Sequence, residues 1–389
     1  MAPLPELAPL GIYLHVPFCT HICPYCDFNT YAGQSQLIPR YVAAMRRDLD
    51  TQAERIGRQP VASIFFGGGT PSLLSADQVG SLVDGVAERF DLQPGAEVTL
   101  EANPNGLTRA DLSELRVAGV NRLSIGLQTT DRSGLRRLGR MHEAVDAERA
   151  VEAAVEAGFE RISLDLIFGW PGQTIESWRT DLETVSGWAG GAVSHLSLYS
   201  LIVEPGTPLA DAVSRGIVTV PDDDAAADLY ELAMDVLGKR RWMHYEVANW
   251  ARTSEHMSTH NGLYWRNGEY LGIGAGAHGR VGNQRTMQHL LPATYIGALE
   301  AGKSPESNCE ELSPETHRGE TMMLGLRLLQ EGVTDAEFEH RHGISLTDAF
   351  GPTIARFQAQ GLLDRDDRGV RLTRRGLMLA NDVCAAFLD

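Results

Sequence analysis

The sequence predicts an α/β protein, a partial parallel (β/α)6 barrel followed by a mainly helical, degenerate winged-helix-like C-terminal domain. Three observations carry this reading. Six short apolar segments within the first 201 residues are bounded by Gly, Pro or polar residues and alternate with stretches whose apolar residues recur at helical spacing. Strands alternating with helices pair in parallel through right-handed crossovers, and six units fall short of the eight that close a full barrel. Beyond residue 305 the order changes to helices followed by a β-ribbon. An open doubly wound sheet is the alternative for the first part.

Taken in order, Ile12–Val16 is the first strand, and a helix over Gln36–Ile56 leads to the second, Val61–Phe66. Helix Ala76–Phe90 precedes strand Glu97–Glu101, and helix Arg109–Ala118 precedes strand Arg122–Gly126. Helices Val145–Ala157 and Ile175–Trp188 introduce strands Arg161–Ile167 and His195–Leu201. Asp222, Asp223 and Asp224 then place acids at the positive end of a helix running to Leu237. From Trp242 to Gly282 the chain is rich in aromatics, glycine and histidine, with neither a period of two nor one of 3.6. It reads as irregular strands and loops that close the open side of the barrel. Helices Glu315–Leu329, Thr334–His340 and Leu346–Gln360 precede the ribbon around Asp364–Gly369. The expected division is therefore 1–240, 241–304 and 305–389.

The formal charge of −17 opposes broad attraction to phosphate backbones. Arg365, Arg368, Arg371, Arg374 and Arg375 cluster near the ribbon, but Asp364, Asp366 and Asp367 offset them, so no nucleic-acid partner is expected. The start, MAPLPELAPL, has no basic leader segment, and no window approaches the ~20 apolar residues a membrane span requires. A cytoplasmic protein is expected.

Three of the five cysteines, Cys19, Cys23 and Cys26, fall within eight residues as CxxxCxxC. Steps of four and three residues on a curled loop turn three sulfurs toward one point, which suits three corners of a [4Fe-4S] cube and leaves the fourth iron open. A zinc site recruiting His21 is the competing reading, although CxHxC spacing crowds the imidazole and no second CxxC pair exists. Pro17, Pro24, Tyr25 and Asp27 make the loop polar and turn-rich, which disfavours three merely packed cysteines. Gly67-Gly68-Gly69-Thr70-Pro71, after the second strand, lets backbone approach a ligand closely.

Together, YLHVPFC, CxxxCxxC followed by Asp27-Phe28 and GGGTP resemble the radical S-adenosylmethionine superfamily, and within it the anaerobic coproporphyrinogen oxidase group. The resemblance implies that Cys19, Cys23 and Cys26 hold a [4Fe-4S] cluster whose open iron takes S-adenosyl-L-methionine. It also implies that Tyr13, Tyr25, Gly68, Gly69, Thr70, Glu101, Gln128, Arg140 and Asp165 surround the bound cofactor.

Two departures from the dehydrogenase pattern stand out: Phe28 occupies the place of a fourth cysteine, and the long N-terminal extension is missing. CDFN, the HNxxYW match at His260–Trp265 and YLGIGAGAHG instead resemble the HemW subfamily, which implies a haem chaperone. That resemblance implies haem, haem-accepting proteins such as membrane respiratory enzymes, and a homodimer as partners. A radical enzyme, either a coproporphyrinogen dehydrogenase or a methyltransferase, is the alternative. A haem protein needs an apolar slot and usually a neutral His ligand, for which His260 is the first candidate, followed by His278, His244 and His256.

Overall fold

The computed structural model describes residues 9–388; the beginning of the start segment, residues 1–8, lies outside them. Six parallel strands, β1 (Leu10–Val16), β2 (Pro60–Gly68), β3 (Asp91–Ala102), β4 (Arg122–Gln128), β5 (Arg161–Phe168) and β6 (His195–Ser200), lie side by side in sequence order. A doubly wound sheet reverses its strand order partway, so this uninterrupted order excludes that alternative. The crossover helices between them are α1 (Ile38–Ile56), α2 (Ala76–Arg89), α3 (Arg109–Val117), α4 (Ala144–Glu156) and α5 (Ile175–Val185).

Local chemistry sets the helix limits. Ser75 caps α2 in a reciprocal capping box with Gln78, and Gly57, at φ 75°, ends α1 where a left-handed residue is needed. Along the strands, alternate residues divide the sheet into two faces. Ile12, Ile64, Leu100, Leu123, Leu164 and Leu196 point outward and are fully buried beneath Tyr41, Met45, Leu82, Val151 and Trp178 of the helices. Burial of each such side chain contributes ~2 kcal/mol. The intervening positions, including Ser63, Glu97, Glu101, Ser124, Asp165 and His195, are polar. The barrel interior is thus a polar chamber.

The segment expected to be irregular is regular in the structure. After helix α6 (Asp223–Lys239), strands β7 (Met243–Glu246) and β8 (Asn249–Ala251) extend the sheet beyond β6. Helix α7 (Thr259–Trp265) follows, and β9 (Tyr270–Ile273) then pairs in parallel with β1 on the opposite edge. The sheet continues antiparallel through β10 (His278–Val281), β11 (Gln284–Gln288) and, after α8 (Pro292–Glu300), β12 (Glu306–Glu311). Strands of three to six residues interrupted by glycine are too short to display a period, which is why the pattern hid them. Residues 306–311 therefore pair within the large sheet, where the sequence placed the opening of the helical C-terminal part.

Helices α9 (Pro314–Gly325), α10 (Asp335–His342) and α11 (Leu346–Ala359) enclose a separate core of Met322, Phe338, Ile354 and Val370 with a three-stranded ribbon. Of the arginines near that ribbon, Arg365 pairs with Asp335, Arg368 and Arg371 with Asp366, and Arg374 with Asp235.

Candidate functional site

The cysteine loop hangs between β1 and β2 at the C-terminal ends of the parallel strands, where parallel βα proteins gather their chemistry. Its base is tied by backbone: Tyr31 N–H donates to Pro17 O at 2.7 Å, and Phe18–Cys19 pairs with Tyr31–Ala32. Gly69 N–H donates to Val16 O and Thr70 N–H to Phe18 O, both at 2.9 Å, which draws the glycine run under the loop. The approach is too close for a side chain. A Cβ on Gly69 would lie 2.8 Å from Phe18 O and 3.0 Å from Cys19 Sγ.

Cys19, Cys23 and Cys26 line a single cavity of about 480 Å³ with Tyr25, Gly68, Gly69, Thr70, Glu101, Gln128, Arg140 and Asp165. Eleven of the twelve residues assigned to the cluster and to adenosylmethionine thus share one chamber. Tyr13 does not, and neither do the four candidate haem-ligand histidines. Among the described residues no group of three His, Cys, Asp or Glu side chains stands in metal-coordinating geometry, so the thiols share a wall without forming a finished cage.

The donors around the sulfurs suit thiolate ligands. Thr70 Oγ1 donates to Cys19 Sγ at 3.5 Å and Arg140 Nη1 to Cys23 Sγ at 3.8 Å. Burial pushes the Cys19 and Cys26 thiols up, opposed at Cys19 by Thr70 and at Cys26 by the Phe28 backbone and the Thr30 hydroxyl. Three sulfurs, with cationic and hydroxyl donors behind them, fit an iron–sulfur cluster.

The opposite wall carries two buried carboxyl groups. Burial, with the charge of Asp165 second, pushes Glu101 up to about 8, although it accepts the Gly68 N–H at 3.2 Å. Burial also raises Asp165, whose carboxylate accepts Ser124 Oγ at 2.9 Å. A positively charged group placed between these two buried carboxyl groups would favour their ionised form and be held by it. Arg140 complements them: Nη2 donates to Asn103 Oδ1 at 2.7 Å and Gly126 O at 2.8 Å, while the buried Nε has no partner. Gln128 adopts φ 74°, rare for a residue with a side chain, beside a register shift in the β4–β5 pairing. Strained positions of this kind concentrate at ligand sites.

Asn103, Ser124, Tyr199 and Glu204 also line the chamber and were not singled out from the sequence. Asn103 was within reach of the pattern, two residues after Glu101 in LEANP, whereas Tyr199 and Glu204 belong to the sixth strand and the loop after it, which carry no motif.

Tyr13 lies in an adjoining cavity of about 710 Å³, which shares Phe28, Gly68 and Glu101 with the first. As an inward residue midway along β1, it falls short of the thiol-lined end. His260 lines neither cavity. It is 1% exposed, with Nδ1 bonded to Ser63 Oγ and Nε2 to Tyr264 Oη, both at 2.8 Å. Its helix, α7, plugs the N-terminal end of the barrel, where Glu97 binds its first N–H groups. His244 stacks on Trp250 at 3.9 Å between ring centroids, and His256 bonds to Thr253 near the surface.

A partial parallel barrel with a three-cysteine loop after its first strand defines a radical S-adenosylmethionine protein, and residues 13–185 match the Radical SAM superfamily. Residues 312–379 match the HemN C-terminal domain. The chain belongs to the HemW family. It is 38% identical to Heme chaperone HemW of Bacillus subtilis, covering 97% of this chain and 98% of that one. It is 36% identical to the HemW of Mycobacterium tuberculosis (100% and 97% covered) and, also at 36%, to the mitochondrial Radical S-adenosyl methionine domain-containing protein 1 of Bos taurus (100% and 89%). Coproporphyrinogen III oxidase (HemN) of Escherichia coli, described as a radical SAM enzyme, has the same fold: TM-score 0.83 at 22% identity, over 99% of this chain and 91% of that one. Among the described residues no helix is long and apolar enough to cross a membrane.

Proposed function

We propose that the protein is a cytoplasmic haem chaperone that binds haem beside a cluster-and-adenosylmethionine site and passes it to acceptor proteins, membrane respiratory enzymes among them. The observation that carries this reading is Phe28. It stands where the dehydrogenase pattern has a fourth cysteine, is 67% exposed, and lines both cavities, so an apolar ring faces a second ligand at the boundary. Relatives that match nearly the whole chain are named as haem chaperones.

Cys19, Cys23 and Cys26 would hold the [4Fe-4S] cluster, which when bound supplies an open iron for adenosylmethionine and an electron for its sulfonium. Gly68, Gly69 and Thr70 bring backbone against the ligand. Glu101 and Asp165 hold its cationic groups, and Arg140 holds its carboxylate while Gln128 and Tyr25 complete the wall. Tyr13 belongs with the neighbouring cavity. We also propose that the barrel with its edge extensions forms one unit, that the C-terminal helices from about residue 312 form a second, and that chaperone molecules pair as homodimers during handover.

The test is anaerobic purification and reconstitution with iron, sulfide and haem quantified together. Near-stoichiometric cluster and haem on one chain support the reading; a chain that loads the cluster and takes up no haem defeats it. The carboxyl pair at Glu101 and Asp165 also suits a radical enzyme. Porphyrin-dependent formation of 5'-deoxyadenosine with an altered porphyrin product would favour that reading instead.

A further inference from the structure

The adjoining cavity is lined by Tyr13, Tyr264, Tyr270 and Trp265 and by Met323 and Leu324 of α9, a size and polarity suited to a large, mainly apolar ligand. Two imidazoles line it. His15 has both nitrogens engaged, Nδ1 with Tyr13 Oη at 2.9 Å and Nε2 with Asn29 O at 3.0 Å. His278, at the start of β10, is exposed and has no side-chain hydrogen bond among the described residues. Arg285 also lines the cavity, one-third exposed, bridged to Glu320 within it and, at 3.3 Å, to the exposed Glu310 outside it. The outer pair faces solvent and is exchangeable for another carboxylate.

Resting on the haem-chaperone reading, we propose that this cavity is the haem seat, with His278 as the protein ligand to the iron and Arg285 as the cation for a propionate. His260 stands behind the wall residue Tyr264 and is not the ligand. Its Nε2 bond holds Tyr264 against the cavity and its Nδ1 bond holds Ser63, and freeing a lone pair for iron would break one of them inside the core.

The experiment is haem titration of the full-length chain, read by Soret absorbance and low-spin electron paramagnetic resonance. His278→Ala is expected to weaken haem binding at least tenfold and to remove the His-ligated spectrum, with free imidazole restoring it. Met323→Trp, which fills the cavity, is expected to reduce uptake. His260→Ala is expected to lower thermal stability while leaving the Soret position unchanged. A His278→Ala protein with wild-type affinity and spectrum overturns the assignment, as does a folded His260→Ala protein that alone loses the His-ligated Soret band. Wild-type protein that takes up no haem removes the chaperone reading along with this one, whereas uptake unaltered by His278→Ala removes this one alone.

Discussion

Glu97 on β3 accepts the backbone N–H of His260 at 3.1 Å, so a buried carboxylate from one end of the barrel fixes the first turn of α7. Its other oxygen accepts the Thr259 N–H at 3.1 Å and meets Arg161 Nη2 at 2.7 Å, with Arg122 3.9 Å away. Burial pushes this carboxyl up, but the two arginines and the backbone donors outweigh it and hold it below the usual range.

Replacing Glu97 by Ala leaves two arginines buried without their partner and frees the start of α7. The expected loss is about 3–5 kcal/mol in urea unfolding. Because the carboxyl is depressed in the folded state, this contribution is present above the ordinary glutamate range and fades as pH falls through the lower folded value. The gap between wild type and Glu97→Ala should therefore narrow in acid, and a gap constant from pH 7 to 3 would contradict it.

Glu101 has the opposite sign. A carboxyl raised to about 8 keeps its proton in the folded chain after the unfolded chain has lost it, so it lowers stability as pH rises from about 4.5 to 8. Glu101→Gln should remove that decline, with a gain of about 4–5 kcal/mol at pH 8.5 and little change at pH 4.5. Melting temperatures across that range check it. The same variant should weaken adenosylmethionine binding, since the cation loses a counter-charge.

Arg140→Ala should reduce adenosylmethionine affinity about 10- to 100-fold, the value of a charge-assisted hydrogen bond, while the cluster still assembles on the three thiols. Calorimetric titration of reconstituted protein measures the first and iron content the second.

Gly69→Ala tests the close approach of the glycine run. A methyl group 2.8 Å from Phe18 O must push the loop away, so cluster loading should fall severalfold with the melting temperature lowered by only a few degrees. Cys23→Ala should abolish the cluster absorbance altogether after anaerobic reconstitution.

The barrel was legible because each crossover repeats the same two periods, and because strands such as β4 and β5 are bounded by unmistakable breakers. The cluster chamber was legible for a different reason: CxxxCxxC, GGGTP and the polar residues at strand ends each sit where an apolar residue would otherwise pack. What escaped was arrangement across the chain. HNxxYW reads as a ligand motif in one dimension, yet its histidine turns inward to Ser63, nearly two hundred positions earlier, and only the register of β2 against α7 reveals it. His278 was second in rank because nothing local distinguishes a free imidazole from a bonded one.

Asn29, within the cysteine loop, donates to Ala275 O and Leu290 O, each at 3.0 Å, and Tyr31 Oη reaches Leu290 O at 3.1 Å. Those carbonyls belong to segments that frame the neighbouring chamber. Three hydrogen bonds thus join the cysteine loop to the frame of the neighbouring chamber, so a displacement of one would be transmitted to the other.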